Sequence, residues 1–447
     1  MAGPSLRRLL IKNTLVQIAA QLVSLLIGLA TAAALSRYLG VEGFGQLNYI
    51  FAFFYFFLSI NDFGVNTVVV REISKQRERA EEIIGTMLSF KVLLATISVL
   101  AAWTTIWFMD FPEPLRNALF VFALVLPMIA LQLPAVIFQV LLKAAYPAVM
   151  GIFNRCAGFL LMIGAVWLGW GLTGIVSAFL LAEFASLLIM LKYTRGFVRP
   201  IWRLDPKLWQ EVLRSSVPLG IAGFFVALIN RVDFIMLEKM TDLRQVGLYS
   251  AAYKVTNLLE AFPLMMMGTI YPLMSRYATA DLGQLRELYK KSVFYLGLVA
   301  LPMGLGITLL APVIIQVLFG ANFIAADRGL MVLVWSTVFL CLALSGGNLL
   351  ICLGKERISL VLNALGVGLN IMLNLLLIPM MGFVGAALAT AATYLFILIG
   401  ISLAAPLVLA SARAETVLAK VGDSEGSSKI VAGKHGSSLP SSEICLY

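Results

Sequence analysis

The stretch 292–312, SVFYLGLVALPMGLGITLLAP, carries no charged residue over 21 positions. As an α-helix rising about 1.5 Å per residue it is about 32 Å long, enough to cross the roughly 30 Å hydrocarbon core of a bilayer. Working outward, comparable runs lie near 14–34, 46–70, 84–108, 115–137, 147–169, 171–191, 215–237, 248–272, 329–353, 358–380 and 383–407. The count is about twelve. Of the 447 residues 61% are hydrophobic and only 13% charged, with a mean hydropathy of +0.95. Soluble domains are about 45–50% apolar and about 25% charged. Too few polar side chains remain to cover a surface in water, which excludes a soluble enzyme, a secreted disulfide scaffold and a disordered chain. Backbone groups in lipid must be satisfied internally, and ten-residue alternating strands are absent. The spacing therefore predicts an all-α multi-pass membrane protein.

The net charge of +10 does not point to nucleic acid, because the basic residues sit in short segments between apolar runs. Cys156, Cys341, Cys352 and Cys445 have no close pairing, so neither a disulfide framework nor a metal site follows. The single histidine, His435, lies in the polar tail. The first apolar stretch is longer than a signal-peptide core and is read as a retained helix. The linker 192–214 is too short to fold alone. The Ser-, Gly- and Lys-rich tail 409–447 is expected to be disordered.

Counting Lys and Arg by side gives 25 on the side of the termini and five on the other, Arg37, Arg116, Lys239, Arg244 and Arg328. That bias predicts cytoplasmic termini and an even number of spans. The chain also repeats itself. Gly45-Gln46-Leu47-Asn48-Tyr49 follows the first span and Gly247-Leu248-Tyr249-Ser250-Ala251 the seventh, an offset of 202 that also matches Arg37 to Lys239. Gly171-Leu172-Thr173-Gly174 and Gly382-Phe383-Val384-Gly385 join later spans at an offset of 211. Two parallel six-helix halves follow, 1–200 and 201–408, related by an axis along the membrane normal.

Polar and small residues recur on single helix faces. Gln17, Gln21, Ser24, Gly28 and Thr31 step by three and four, as do Asn48, Ala52, Tyr55, Ser59, Asp62 and Asn66. Ser250, Lys254 and Asn257 form a third stripe, and Ser359, Asn363, Asn370 and Asn374 a fourth. Such stripes serve either helix packing or a wetted cavity wall. Charges inside apolar runs are costly and mark pathways by default. Here they are Arg155, Glu183, Arg231, Asp233, Lys254 and Glu260. Arg155 and Lys254, helped by Arg231, Asn48, Tyr55, Asn257, Gln17 and Gln21, are candidates for binding an anionic, hydroxyl-rich substrate. Asp62, Glu183, Asp233 and Glu260 are candidates for coupling, with Asp62 loading and releasing a proton. The rival reading pairs Arg155 with Glu183 and Lys254 with Glu260 as mutual neutralisers. Pro127, Pro134, Pro218, Pro263, Pro302 and Pro379 are expected to kink their spans. There is no phosphate loop, nucleophile arrangement or carboxylate pair.

Several segments together resemble Wzx-type oligosaccharide flippases, of the multidrug/oligosaccharidyl-lipid/polysaccharide exporter superfamily. They are Ser36-Arg37-Tyr38-Leu39-Gly40, Gly43-Phe44-Gly45-Gln46-Leu47, Asp62-Phe63-Gly64-Val65 and Val70-Arg71-Glu72, then Val246 to Tyr253, Leu318-Phe319-Gly320, Leu353-Gly354-Lys355 and Leu377-Ile378-Pro379. The resemblance covers about 1–405 and implies two six-helix pseudo-symmetric bundles in a V around a central cavity. It implies translocation of polyprenyl-pyrophosphate-linked oligosaccharide across the cytoplasmic membrane of a bacterium or archaeon, with no enzymatic step. No cofactor is implied beyond a coupling ion, H+ or Na+. The implied partners are that substrate, membrane lipid, and the polymerase and glycosyltransferases of the same pathway. The alternatives are a cation-coupled multidrug exporter, which would favour cavity carboxylates, and a peptidoglycan lipid-precursor flippase. A membrane glycosyltransferase or polymerase is set aside because the loops are short.

Overall fold

The computed structural model describes residues 4–143 and 145–432, without the side chains of 4–16, 18, 222 and 413–432. It is helical throughout, with no strand among the described residues. The helices are α1 Pro4–Asp62, α2 Val65–Lys75, α3 Ala80–Phe108, α4 Glu113–Phe122, α5 Val125–Ala130, α6 Val136–Val140 and α7 Ala145–Trp167. They continue as α8 Gly171–Thr194, α9 Pro206–Met240, α10 Leu243–Ala280, α11 Leu282–Phe319, α12 Ala326–Cys352, α13 Glu356–Met381 and α14 Phe383–Ala432.

At 59 residues, α1 would be about 90 Å long if straight, far more than one membrane crossing. It breaks at Gly40, whose φ of 69° is readily available only to glycine. Gln21 and Phe51 would lie about 45 Å apart on a straight helix, yet they line one cavity. The chain therefore doubles back and α1 supplies two crossings. Ten helical stretches among the described residues are long and apolar enough to span, and the bent pair Pro206–Ile221 and Gly223–Met240 within α9 adds an eleventh. Dividing the stretch Ala19–Lys75 at Gly40 brings the crossings to the twelve that the hydropathy predicts. The fourth crossing is fragmented into α4, α5 and α6, with Pro127 and Pro134 in its broken part. A proline lacks the N–H for an intrahelical bond, so breaks concentrate there.

Side-chain caps set the start of three helices. Asp205 accepts from the amides of Lys207 and Leu208 at 3.0 and 3.2 Å, Asp242 from that of Gln245 at 2.8 Å, and Asp281 from those of Gly283 and Gln284 at 2.7 and 3.1 Å. Each satisfies amides that the first helical turn leaves unbonded.

The main core joins α1 to α10. A methyl group on Gly45 would overlap the Leu243 carbonyl, and one on Gly247 would overlap the Val41 carbonyl. The repeat-related glycines thus let the two backbones touch, the close approach that small residues permit between membrane helices. Around this crossing, Phe44 packs edge-on to Phe323 at 5.7 Å and tilted against Phe319 at 6.1 Å. Arg37 donates to the Val317 carbonyl at 2.7 Å, and its repeat counterpart Lys239 sits 4.9 Å over the Phe111 ring. The backbone of α14 stays helical through Ala432, where composition predicts disorder. Its part 407–421 is rich in Ala and Leu, with Glu415 and Lys420, good helix formers. Residues 433–447, including His435 and Cys445, lie outside the described residues.

Candidate functional site

A cavity of about 640 Å3 lies between α1, α7, α8, α9 and α10. Gln21, Ser24, Gly28 and Thr31 line it from the first arm of α1, and Phe44, Asn48 and Phe51 from the second. Helix α7 contributes Gly151, Asn154, Arg155 and Gly158, and α8 contributes Phe179 and Glu183. Arg231 comes from α9, and Lys254 and Asn257 from α10. The three- and four-residue stepping on each helix places these side chains on one face. The small residues Gly28, Gly151 and Gly158 make room among the long ones.

The cavity is cationic. Arg155, Arg231 and Lys254 all line it, and Glu183 is the single carboxylate of the lining among the described residues. Glu183 does not pair with Arg155: its oxygens accept from the Gln132 amide at 2.6 Å and the Asn154 amide at 2.8 Å. The ion pairs among the described residues involve none of the three cations. Arg231 is held instead by aromatic faces, 5.2 Å from the Tyr55 and Tyr253 ring centres and 5.4 Å from that of Phe234. Ring quadrupoles stabilise a guanidinium without neutralising it. Asn48 donates to the Phe44 carbonyl at 2.8 Å, leaving its side-chain carbonyl for the cavity wall.

The structure thus brings together Arg155, Lys254, Arg231, Asn48, Asn257, Gln21 and Glu183, with Tyr55 beneath Arg231. Gln17 is exposed and does not line the cavity. Three of the predicted carboxylates lie elsewhere. Asp62 accepts from Lys91 at 3.3 Å, and Lys91 also donates to Asn66 at 3.0 Å while its own side chain is 1% exposed. Asp62 therefore ends its polar stripe in an ion pair, outside the cavity. Glu260 is likewise outside the cavity, and the pairing of Lys254 with Glu260 is not formed.

Asp233 is buried in a polar cluster of its own. Its carboxylate accepts from Tyr249 at 2.7 Å, Thr390 at 2.7 Å and Asn374 at 2.6 Å, and Asn374 also donates to Asn370 at 3.0 Å. The Asn374 side-chain oxygen and the Asn370 side-chain nitrogen are buried without a hydrogen-bond partner. Sequence reading missed Tyr249 and Thr390 as part of this cluster, and Asn154 and Gln132 as the partners of Glu183. The adjacent Arg155 carried the only signal for Asn154. Nothing in the spacing points from α9 to Thr390.

The profile of the polysaccharide biosynthesis protein family matches residues 10–278, and that of the MatE family matches 218–376. The chain is 26% identical over 182 residues to the probable low-salt glycan biosynthesis flippase Agl15 of Haloferax volcanii, covering 40% of this chain. The chain spans 35% and 38% of the length of the two archaeal relatives it matches, the other being an uncharacterised membrane protein of Methanocaldococcus jannaschii. A putative O-antigen transporter of Shigella flexneri is 22% identical over 400 residues, 85% of this chain and 94% of its own. Among solved structures, the lipid II flippase MurJ in an inward closed conformation superposes with a TM-score of 0.73 at 13% identity, over 90% of this chain and 91% of its own. An outward-facing MATE family transporter of the MOP superfamily gives 0.64 at 14% identity, over 90% and 96%. The fold is that of this superfamily.

Proposed function

The chain belongs to the polysaccharide biosynthesis protein family, and on that premise we propose that it is a flippase for polyprenyl-pyrophosphate-linked oligosaccharide, serving cell-surface polysaccharide synthesis. The observation that carries this reading is a cavity with three cations, Arg155, Arg231 and Lys254, that form no ion pair among the described residues and stand among amide and hydroxyl side chains. Its volume of about 640 Å3 falls in the roughly 300–1,000 Å3 range of small-molecule sites. A drug exporter for cations would favour the opposite charge. A guanidinium binds phosphate oxygens bidentately and an ammonium acts as a point charge. Arg155 and Lys254 would therefore grip the pyrophosphate from two walls, and Asn48, Asn257 and Gln21 would bond the sugar hydroxyls. The polyprenyl chain stays in the bilayer. No bond is made or broken.

Residues 1–200 and 201–408 act as the two halves of an alternating-access cycle, rocking about the α1–α10 crossing. The coupling ion is H+ or Na+, and Asp233 is its seat: a buried carboxylate ringed by hydroxyl and amide groups, with two neighbouring polar atoms unpartnered. The protein resides in the cytoplasmic membrane with both termini inside, and receives its substrate from glycosyltransferases and passes it to a polymerase. In a deletion strain, mass spectrometry should find the lipid-linked oligosaccharide accumulating, and the wild-type gene should clear it. An unchanged lipid-linked pool would contradict the reading.

A further inference from the structure

A second hollow, of about 300 Å3, lies where α2 ends and α9 begins. It shares no lining residue with the central cavity. Arg71, Lys75 and Arg79 line it against Glu72 and Glu211, over an apolar floor of Val68, Ile83, Leu208 and Val212. The cations are arranged two to a carboxylate. Arg71 Nε and Lys75 Nζ both contact Glu72 Oε1, at 3.2 and 3.1 Å. Arg79 Nε and Arg203 Nη1 share Glu82, at 3.1 Å each. Each carboxylate thus orients two cations, and Glu211 and Asp205 add negative charge near Arg79. Arg71 makes its contact through Nε, and Arg79 through Nε to Glu82 and Nη1 to Gln76, while a guanidinium carries five donors. Donors are left over beside an unfilled hollow.

The surroundings place the hollow at headgroup depth. The linker before α9 is tied along α3: the amides of Arg199 and Ile201 donate to the Glu81 side chain and backbone at 2.9 and 3.1 Å, and Trp209 donates to the Thr86 carbonyl at 2.9 Å. That linker turns Ile201, Trp202 and Leu204 outward, at 55, 60 and 74% exposure, between Arg199, Arg203 and Lys207. Outward aromatic and aliphatic side chains among basic ones are the signature of the membrane–water boundary. Basic pockets between membrane helices at that boundary take anionic lipid headgroups.

We infer that the hollow between α2 and α9 is a binding site for the phosphate of an anionic bilayer phospholipid, with Arg71, Lys75 and Arg79 as its donors. The phosphate displaces no ion pair; it completes the coordination of cations that Glu72 and Glu82 only half-satisfy. The acyl chains run down the apolar floor. Such a lipid would bridge the second crossing of the first half to the start of the second half. The inference is independent of what the central cavity carries.

The test uses the full chain in a bilayer of phosphatidylglycerol and phosphatidylcholine in equal parts, with retained lipid read by native mass spectrometry. The wild type should retain phosphatidylglycerol preferentially. Arg71→Gln with Arg79→Gln should weaken that retention roughly thirtyfold, from about 1 kcal/mol for each juxtamembrane cation. Glu72→Gln should strengthen it, because it frees two cations, and a misfolded variant could not do so. Arg286→Gln with Lys290→Gln, exposed and remote from the hollow, should leave it unchanged. Equal loss in both double variants, or no gain with Glu72→Gln, would overturn the site. Displacement of the lipid by soluble glycerol phosphate would reassign it to a free phosphate and overturn the lipid assignment.

Discussion

Arg155 forms no ion pair with Glu183, which is engaged by Gln132 and Asn154, and is therefore proposed as a substrate cation. Truncating a cation that bonds a charged group costs about 1.5–3 kcal/mol, roughly 10- to 100-fold. Arg155→Ala and Lys254→Ala should each slow flipping by that factor while the protein still inserts, and Arg155→Lys should keep part of the rate. If the cations only neutralised carboxylates, the neutral pair Arg155→Gln with Glu183→Gln would restore transport; the geometry predicts that it does not. Asp62 is paired with Lys91. Removing its charge leaves Lys91, 1% exposed, with Asn66 alone, so Asp62→Asn should cost about 1–3 kcal/mol of stability. Adding Lys91→Met should recover it in a thermal melt. Asp233→Asn should instead keep the fold and abolish the dependence of transport on a Na+ or proton gradient; undiminished gradient dependence would remove Asp233 from coupling. The intramembrane charges were legible in the sequence because an isolated charge in an apolar run stands out. Their partners were not. Spacing gives the face of a helix but not the face opposite, so the rival reading assigns Glu183 to Arg155 rather than to Asn154 one position away. Lys91 was counted with the basic flanks although it is packed inside the bundle.

At the scale of the element, each hydropathy run falls on one helix of the structure or, in the second and fourth runs, on consecutive helices, because a span must be apolar for about 30 Å. The ends were less legible. Helices α9, α10 and α11 start where Asp205, Asp242 and Asp281 cap them and run past the apolar windows into polar sequence. The Gly45 and Gly247 repeat was visible as a repeat, but its physical purpose, letting two backbones touch, needed three dimensions. A methyl group there forces the helices apart, and overpacking typically costs about 1–3 kcal/mol. Gly247→Ala should therefore lower the melting temperature in detergent, and Gly268→Ala, which meets open space, should not. Equal melting of the two variants would deny that the crossing is tight.

For the whole molecule, the three Lys and Arg residues that belong to neither side of the 33 in the chain are the three that line the cavity. The same charge census that predicts cytoplasmic termini thus also singles out the cations of the cavity. With termini cytoplasmic, reporter fusions after His435 and within 240–246 should report opposite sides of the membrane. The α1–α10 crossing, with Arg37 on Val317 and Lys239 over Phe111, would then seal the outer side, and the cycle must break these contacts to release substrate outward. The central claim is that three cations in one cavity carry a pyrophosphate-linked glycan across the bilayer. Its most direct test is translocation of a fluorescent polyprenyl-pyrophosphate oligosaccharide in proteoliposomes, comparing the wild type with Arg155→Gln, Lys254→Gln and the two combined. The account predicts wild-type flipping, a roughly 10- to 100-fold loss for each single variant and none measurable for the pair. Equal rates in all four, or no flipping by the wild type under any imposed gradient, would contradict it.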